Sequence, residues 1–458
     1  MRPRLLASVA GAVEGVVIDG GDVEVSRVET DSRAAGPGVL FVALAGERLD
    51  GHDFLTDAFD RGAAAALVRA GTALAAPGVA VADTGAALLA LAADERSGFG
   101  GTVVAITGAN GKTSTKDMAE AVCARRYRTH ASPSSFNNEV GVPMTLLGAP
   151  PDTEVIVAEL GARRLGDVAR LCPVAHPSIV VVTNVGVAHM EIFGSWDAIV
   201  DASAEAVEAL APEGLAILNA DDAVVAGYAR RTAARVTTFG RGAEASLRAG
   251  AVMLDRDGRA SFDLVAGDER VRVTLAVPGE HMVANALAAA AVGVALGVPL
   301  GDCASALREA RVTRWRMEST ETRAGVRVVN DAYNANPESV AAALKTGRWM
   351  ANDGRLIAVL GEMAELGAIA AAEHERIGDL AARLRVDRLI TIGPDAKAIA
   401  VAAIREGVEP DNVADYDDMD AVLADVLGAA RPGDVVVVKG SRVAGLEQLA
   451  ARLVEALS

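Results

Sequence analysis

The stretch Gly108-Ala109-Asn110-Gly111-Lys112-Thr113-Ser114 carries the residue types needed to hold a phosphate. Glycines let backbone N–H groups close on phosphate oxygens, Lys112 brings a positive charge, and the Thr113 hydroxyl suits Mg2+. The spacing is G-x-x-G-K-T, two residues shorter than the usual phosphate loop. Glu159 directly follows "VIVA", and His189 lies in "TNVGVAHMEIFG" just past another apolar run. Ligands of parallel sheets bind beyond the carboxyl ends of the strands, so Thr113, Glu159 and His189 are candidate ligands of one metal-bearing site. In "GEHMVANALAAAA", His281 and Asn285 are four residues apart, on one face of a helix. An amide both donates and accepts, which suits adenine, but the spacing alone equally describes a polar patch at a helix start. "NDAYNANPES" gathers Asp331, Tyr333, Asn334 and Asn336 ahead of Pro337. An Asn-Pro helix start accounts for Asn336 and leaves Tyr333 and Asn334 unexplained. "VVVVKGSR" ends in Lys439 and Arg442, cations suited to an anionic ligand or simply to a solvated surface.

The elements that must position these groups read as α/β. "TVVAI" (102–106) is a buried strand running into the glycine loop, and "STKDMAEAVCARRY" is the helix after it. The pattern predicts three domains: 1–99, 100–312 and 313–458. In the first, "VLFVAL" and "GVAVADT" are strands, "HDFLTDAFDRGAAAALV" (52–68) is a helix, and "RSGFGG" (96–101) is a linker. The alanine-rich stretches 63–66 and 288–291 suit helix interiors. In the second, "EVIVAEL", "PSIVVVTNV" and "GLAILNADD" are continuous apolar runs, as expected for a parallel sheet covered on both faces. "VTTFGR", "SFDLVA" and "VRVTLAV" alternate more and predict an antiparallel patch at its edge. The third repeats the strand–helix alternation, as a second doubly wound, Rossmann-like sheet.

Composition narrows the function classes. With 458 residues, 51% apolar and 23% charged, the chain is globular and too long for one core. A net charge of −17 argues against a nucleic-acid partner, which would need a basic face. Cys123, Cys172 and Cys303 are widely spaced and show neither disulfide nor zinc spacing. The N-terminus reads as an amphipathic helix rather than a signal peptide, and no uncharged apolar run reaches membrane-spanning length. A soluble cytoplasmic enzyme is the expectation.

"TGANGKTST", "AELGA", "TNVGVAHMEIFG", "HMVANALAAAA", "DAYNANPES", "LGEMAELG" and "VKGSR" together resemble the Mur ligases over the whole chain. The run "YNANP" is similar to the dipeptide-adding branch. The "DYAHTP"-type run and the "DNPR" of the amino-acid-adding branches are absent. The resemblance implies a small N-terminal UDP-binding domain, a central P-loop ATPase domain and a C-terminal Rossmann-like domain. It also implies an ATP-dependent amide synthesis through an acyl phosphate. UDP-N-acetylmuramoyl-tripeptide and D-alanyl-D-alanine would be the partners, ATP and Mg2+ the cofactors, and the enzyme a monomer. By the same resemblance Gly108, Asn110, Gly111, Lys112, Thr113 and Ser114 cradle the nucleotide. Thr113 and Glu159 hold one Mg2+ and His189 a second. Asn285 reads adenine, and Arg316 and Asp331 face the nucleotide from the third domain. Ser32 and Arg33, in the segment 30–54, belong to UDP binding. Asn137 and Asn138 meet the muramoyl-peptide, Tyr333 and Asn334 belong to substrate binding, and Lys439 meets the dipeptide or a phosphate. One departure stands out: Ser203 occupies the position where the family commonly carries a carbamylated lysine, and residues 117–344 contain no lysine. A ligase with another amine donor and a silent nucleotide-binding relative therefore stay open as alternatives.

Overall fold

Among the described residues the chain builds three main sheets and a small two-stranded pairing of Arg4–Leu5 with Glu24–Val25, and the central and third sheets meet at a cleft. The structure is a computed structural model and describes residues 1–46 and 49–458. Glu47 and Arg48, inside the segment expected to bind UDP, lie outside the described residues.

The first sheet orders its strands Val16–Asp19, Gly78–Val81, Ala65–Arg69, Val39–Val42 and Arg27–Glu29. All neighbours are parallel except Val16–Asp19 against Gly78–Val81. The expected helix over 52–68 is corrected here. A 3-10 turn at Gly51–Phe54 leads into the helix Leu55–Asp60, and Ala65–Arg69 is a strand. Gly62, at φ +96°, turns the chain out of the helix. Residues Ala65 to Val68 are buried in mid-sheet, and that tertiary burial overrides the helix propensity of alanine. The first helix, Leu6–Ala12, buries Leu6, Val9 and Ala10, an i, i+3, i+4 stripe consistent with its amphipathic reading.

The central sheet has nine strands and carries the glycine loop. Its core is parallel: Thr129–Ala131, Val155–Glu159, Thr102–Thr107, Ile179–Val182, Leu215–Asn219 and Arg235–Gly240. The antiparallel edge consists of Leu247–Leu254, Arg259–Ala266 and Glu269–Pro278. "VTTFGR" is therefore misplaced by sequence: Arg235–Gly240 runs parallel to both neighbours, and the direction changes only at the next turn. The third sheet orders Glu318–Glu321, Arg327–Asn330, Val435–Lys439, Leu356–Gly361, Arg388–Ile392 and Val413–Tyr416, parallel except at its first strand.

Register brings the chemistry together. Glu159 pairs with Ile106 and Val182 with Thr107, so three adjacent strands end level with the glycine loop. Asn336 caps the helix Pro337–Ala351 through a reciprocal box with Ser339, with Pro337 in its first turn, as the sequence predicts. The three cysteines are buried free thiols, each pushed up to about 12 by burial. Among the described residues, no helix is long and apolar enough to cross a membrane.

Candidate active site

A cavity of about 700 Å3 opens where the central and third sheets face each other. Gly111 (φ +79°) lines it, and Gly108 (φ +130°) opens the loop just before the lining residues Ala109 and Asn110. A Cβ on Gly108 would collide with the Thr183 hydroxyl, and one on Gly111 with the Asn285 amide. Lys112 opens the helix Lys112–Cys123 and folds back to donate to the carbonyls of Gly108 (2.6 Å) and Ala109 (3.3 Å). Burial lowers its pKa; Glu159 opposes this and Arg316 adds to it. The Asn110 N–H donates to Asn184 Oδ1 (2.8 Å), and the Asn110 carbonyl accepts from the Thr183 hydroxyl (2.7 Å), which ties the loop to the neighbouring strand end.

Next to the loop, the Thr113 hydroxyl donates to Glu159 Oε2 over 2.8 Å, and both groups are buried. Asn137 Nδ2 donates to the other carboxylate oxygen at 2.8 Å. From the third sheet's side, Arg316 Nη2 donates to Thr113 Oγ1 at 2.8 Å while its guanidinium lies 4.2 Å from the centre of the Tyr333 ring. Tyr333 in turn meets the Ser135 hydroxyl, and Asn336 Nδ2 donates to Asn110 Oδ1 at 2.7 Å. Arg316 Nε is buried without a partner.

The residues fit the group that the resemblance implies. A hydroxyl and a carboxylate oxygen beside a phosphate loop are the hard oxygen donors that Mg2+ takes, with its remaining positions left to water and phosphate. Among the described residues, no cluster of three or more His, Cys, Asp or Glu could hold a metal by itself. His189 Nδ1 engages the Glu365 carboxylate, which Arg163 also holds, leaving Nε2 as the free ring nitrogen. Burial lowers the His189 pKa against the opposing pull of Glu365, so the ring is held neutral, the form that ligates metals.

Asn285 and His281 line the cavity, with Asn285 pressed on Gly111 and its Nδ2 donating weakly to Met282 Sδ (3.4 Å). Ser114, Asp331, Asn334 and Lys439 line it too.

Several of the expected site residues have partners within the chain. Lys439 is buried and spends its three donors on Asp331 Oδ2 (2.7 Å), the Asn334 carbonyl (2.9 Å) and the Asp331 carbonyl (3.2 Å). A dipeptide or phosphate would have to displace one of these partners to reach the ammonium. Asp331 is likewise engaged, accepting from Met317 N–H at 2.9 Å. Asn137 steadies Glu159, and Asn138 caps the start of the helix Gly141–Gly148 through Gly141 N–H (2.9 Å); both still line the cavity. Ser32 and Arg33 do not line it: Ser32 is buried, and Arg33 pairs with Asp31 at 2.7 Å. Ser203, on the helix Trp196–Glu208, does not line it either. Its neighbours are engaged elsewhere, Asp201 with Arg231 (2.9 Å) and Glu205 with Ala169 N–H (2.8 Å). Sequence reasoning missed Glu365 and Arg163 as individual residues, although "LGEMAELG" and "AELGA" flagged their surroundings.

Three family models match the chain: the Mur ligase family catalytic domain over 24–96, the Mur ligase middle domain over 106–293, and the Mur ligase glutamate ligase domain over 315–442. The chain belongs to the Mur ligase family. Within that family it is 42% identical to the UDP-N-acetylmuramoyl-tripeptide–D-alanyl-D-alanine ligase of Mycobacterium tuberculosis, covering 98% of this chain and 97% of that one. Identity to the enzyme of the same name from Bacillus subtilis is 34%, over 99% of each chain. Among solved structures it resembles MurF from Acinetobacter baumannii, with a TM-score of 0.89, 30% identity and 99% of each chain covered. It also resembles the MurF ligase of Thermotoga maritima in complex with ADP, with a TM-score of 0.81, 27% identity and 94% and 97% coverage. The three-domain α/β architecture read from the sequence is thus the architecture of the family.

Proposed function

We propose that this Mur ligase joins D-alanyl-D-alanine to UDP-N-acetylmuramoyl-tripeptide at the expense of ATP, a step of peptidoglycan precursor synthesis. The observation that carries the reading is the Thr113–Glu159 pair beside Lys112, met by Arg316 from across the cleft. A carboxylate is a poor electrophile at neutral pH. Transfer of the γ-phosphoryl group to the tripeptide's terminal carboxylate creates an acyl phosphate and releases ADP. The dipeptide amine then attacks the acyl carbon, a tetrahedral intermediate forms, and collapse expels inorganic phosphate and leaves an amide. Lys112 exchanges its two loop carbonyls for phosphate oxygens, and Arg316 places a second positive charge on the transferring group. Mg2+ held by Thr113 and Glu159 supplies charge that offsets the repulsion between carboxylate and triphosphate. His189, kept neutral and oriented by Glu365, is the candidate ligand of a second ion.

The reading includes a cytoplasmic monomer with domain boundaries near residues 99 and 312. The fact that no sheet crosses either boundary supports the division. The test is phosphate release with UDP-N-acetylmuramoyl-tripeptide, with and without D-alanyl-D-alanine. Release that requires both, with a pentapeptide product by mass, is expected. No release with any combination of tripeptide and amine would overturn the proposal.

A further inference from the structure

The charged groups of the cavity wall are nearly all spoken for. Arg163 is held by Glu365, Arg316 by Thr113, Lys439 by Asp331, and Arg442 by Glu447. Among the described residues three are not, Arg170, Glu139 and Glu338, and of these only Arg170 and Glu139 adjoin the segments that hold Glu159, Glu338 standing on the helix Pro337–Ala351 across the cleft. Arg170 and Glu139 both line the cavity and are exposed to it. Among the described residues neither has a side-chain hydrogen bond or an ion pair, and the two do not pair with each other. Arg170 stands on the helix Asp167–Ala175, which the loop after Glu159 feeds, and Glu139 directly follows Asn137 and Asn138. Both therefore flank the segments that hold the candidate reaction centre at Glu159. Leu171 and Leu89 line the wall beside them, an apolar surface for an aliphatic stem.

Resting on the proposed function, we infer that Arg170 and Glu139 form the subsite for the side chain of the tripeptide's third residue, and that this side chain ends in a zwitterion, as in diaminopimelate. The third residue carries the carboxylate that reacts, so its side chain must leave the reaction centre along the adjoining wall. Lysine and diaminopimelate share the same three-methylene stem and the same ammonium. Diaminopimelate adds one carboxylate on the carbon that bears the ammonium. Glu139 answers the ammonium of either, whereas Arg170 answers only the added carboxylate. A guanidinium also binds a carboxylate through two parallel bonds, a geometry that a lone ammonium cannot use. Facing lysine, Arg170 would be left with a like charge nearby.

The experiment compares kcat/KM for UDP-N-acetylmuramoyl-tripeptides bearing meso-diaminopimelate or L-lysine at position three, with ATP and D-alanyl-D-alanine held saturating. Wild type is expected to prefer the diaminopimelate substrate. Arg170→Ala should lower that preference ratio roughly tenfold to a hundredfold, the worth of a charge-assisted hydrogen bond. Arg170→Lys should recover part of the ratio, and Glu139→Gln should lower kcat/KM for both substrates together. Thermal melts check that each variant is folded. Equal loss on both substrates in Arg170→Ala, or equal use of both by wild type, would overturn the assignment. Failure of wild type to release phosphate with either tripeptide would instead overturn the proposed function itself.

Discussion

Replacing Lys439 by Met tests whether this lysine is a strut or a substrate contact. The ammonium is buried at the end of the strand Val435–Lys439 and lies 2.7 Å from Asp331 Oδ2 and 2.9 Å from the Asn334 carbonyl. The Asp331 side chain is only 14% exposed, so losing the lysine leaves a carboxylate with one remaining donor, the Met317 N–H. Removing one partner of such a pair costs about 3 to 5 kcal/mol, because an uncompensated charge stays buried. Lys439→Met should therefore destabilise the third domain by about 3 kcal/mol. The double variant Lys439→Met, Asp331→Asn removes the stranded charge and keeps an acceptor for Met317, so it should be more stable than the single variant by roughly 1 to 2 kcal/mol. Urea unfolding followed by tryptophan fluorescence reads this, since Trp315 and Trp349 lie in that part of the chain. Asp331 fixes Met317, whose neighbour Arg316 reaches Thr113, so the kinetic loss should fall on ATP rather than on the dipeptide. A KM for D-alanyl-D-alanine that rises tenfold while stability stays within about 1 kcal/mol of wild type would refute the strut and restore the substrate contact.

Lys112→Ala should abolish ligation while leaving the melting temperature close to wild type, measured by phosphate release and circular dichroism. Gly111→Ala places a Cβ into the Asn285 amide at φ +79°, so it should cost about 1 to 3 kcal/mol and weaken binding of an ATP analogue at least tenfold by calorimetry. Burial lowers the His130 pKa below 6.5, against the pull of its contact with the Thr145 carbonyl. The unfolded chain then binds a proton that the fold refuses, so stability should fall as pH drops through about 6.5, and His130→Gln should flatten that slope in melts between about pH 5 and 7. Two of the contacts across the cleft, Arg316 to Thr113 and Asn336 to Asn110, should form on closure. Scattering profiles are therefore expected to contract with an ATP analogue and UDP-substrate, and unchanged profiles would count against closure.

What was legible in the sequence was what is local along it. The glycine loop, its strand and its helix are contiguous, so residue type and order carry the whole device, and the Asn336-Pro337 helix start is legible for the same reason. The alanines at 63–66 were misread because alanine favours a helix in isolation, whereas mid-sheet burial decides the matter in the fold. The partner of His189 was out of reach for a different reason. Glu365 lies 176 residues away, and only the meeting of two sheets makes it a neighbour. The same holds for Lys439, whose cation suggests an anionic ligand until Asp331, 108 residues earlier, is found beside it.

The long-range contacts also explain why Arg316 lies where it does. The residues on either side of it, Trp315 (φ 62°) and Met317 (φ 53°), adopt left-handed conformations that non-glycine residues seldom take. Such strain persists only where neighbours hold it. Glu318 accepts from the Trp315 N–H at 3.1 Å, Asp331 accepts from the Met317 N–H at 2.9 Å, and Arg442 lies 4.6 Å from the centre of the Trp315 ring. Just upstream, Asp117 on the phosphate-loop helix accepts from both the N–H (2.6 Å) and the hydroxyl (2.9 Å) of Thr313. The connection between the domains is thus clamped to the ATP-binding helix at one end and braced by the third sheet at the other. The arginine that meets Thr113 sits in the strained turn between them. A domain that moved about this connection would carry Arg316 into or out of the site as it turned, so the phosphate loop would meet its second positive charge only with the cleft closed.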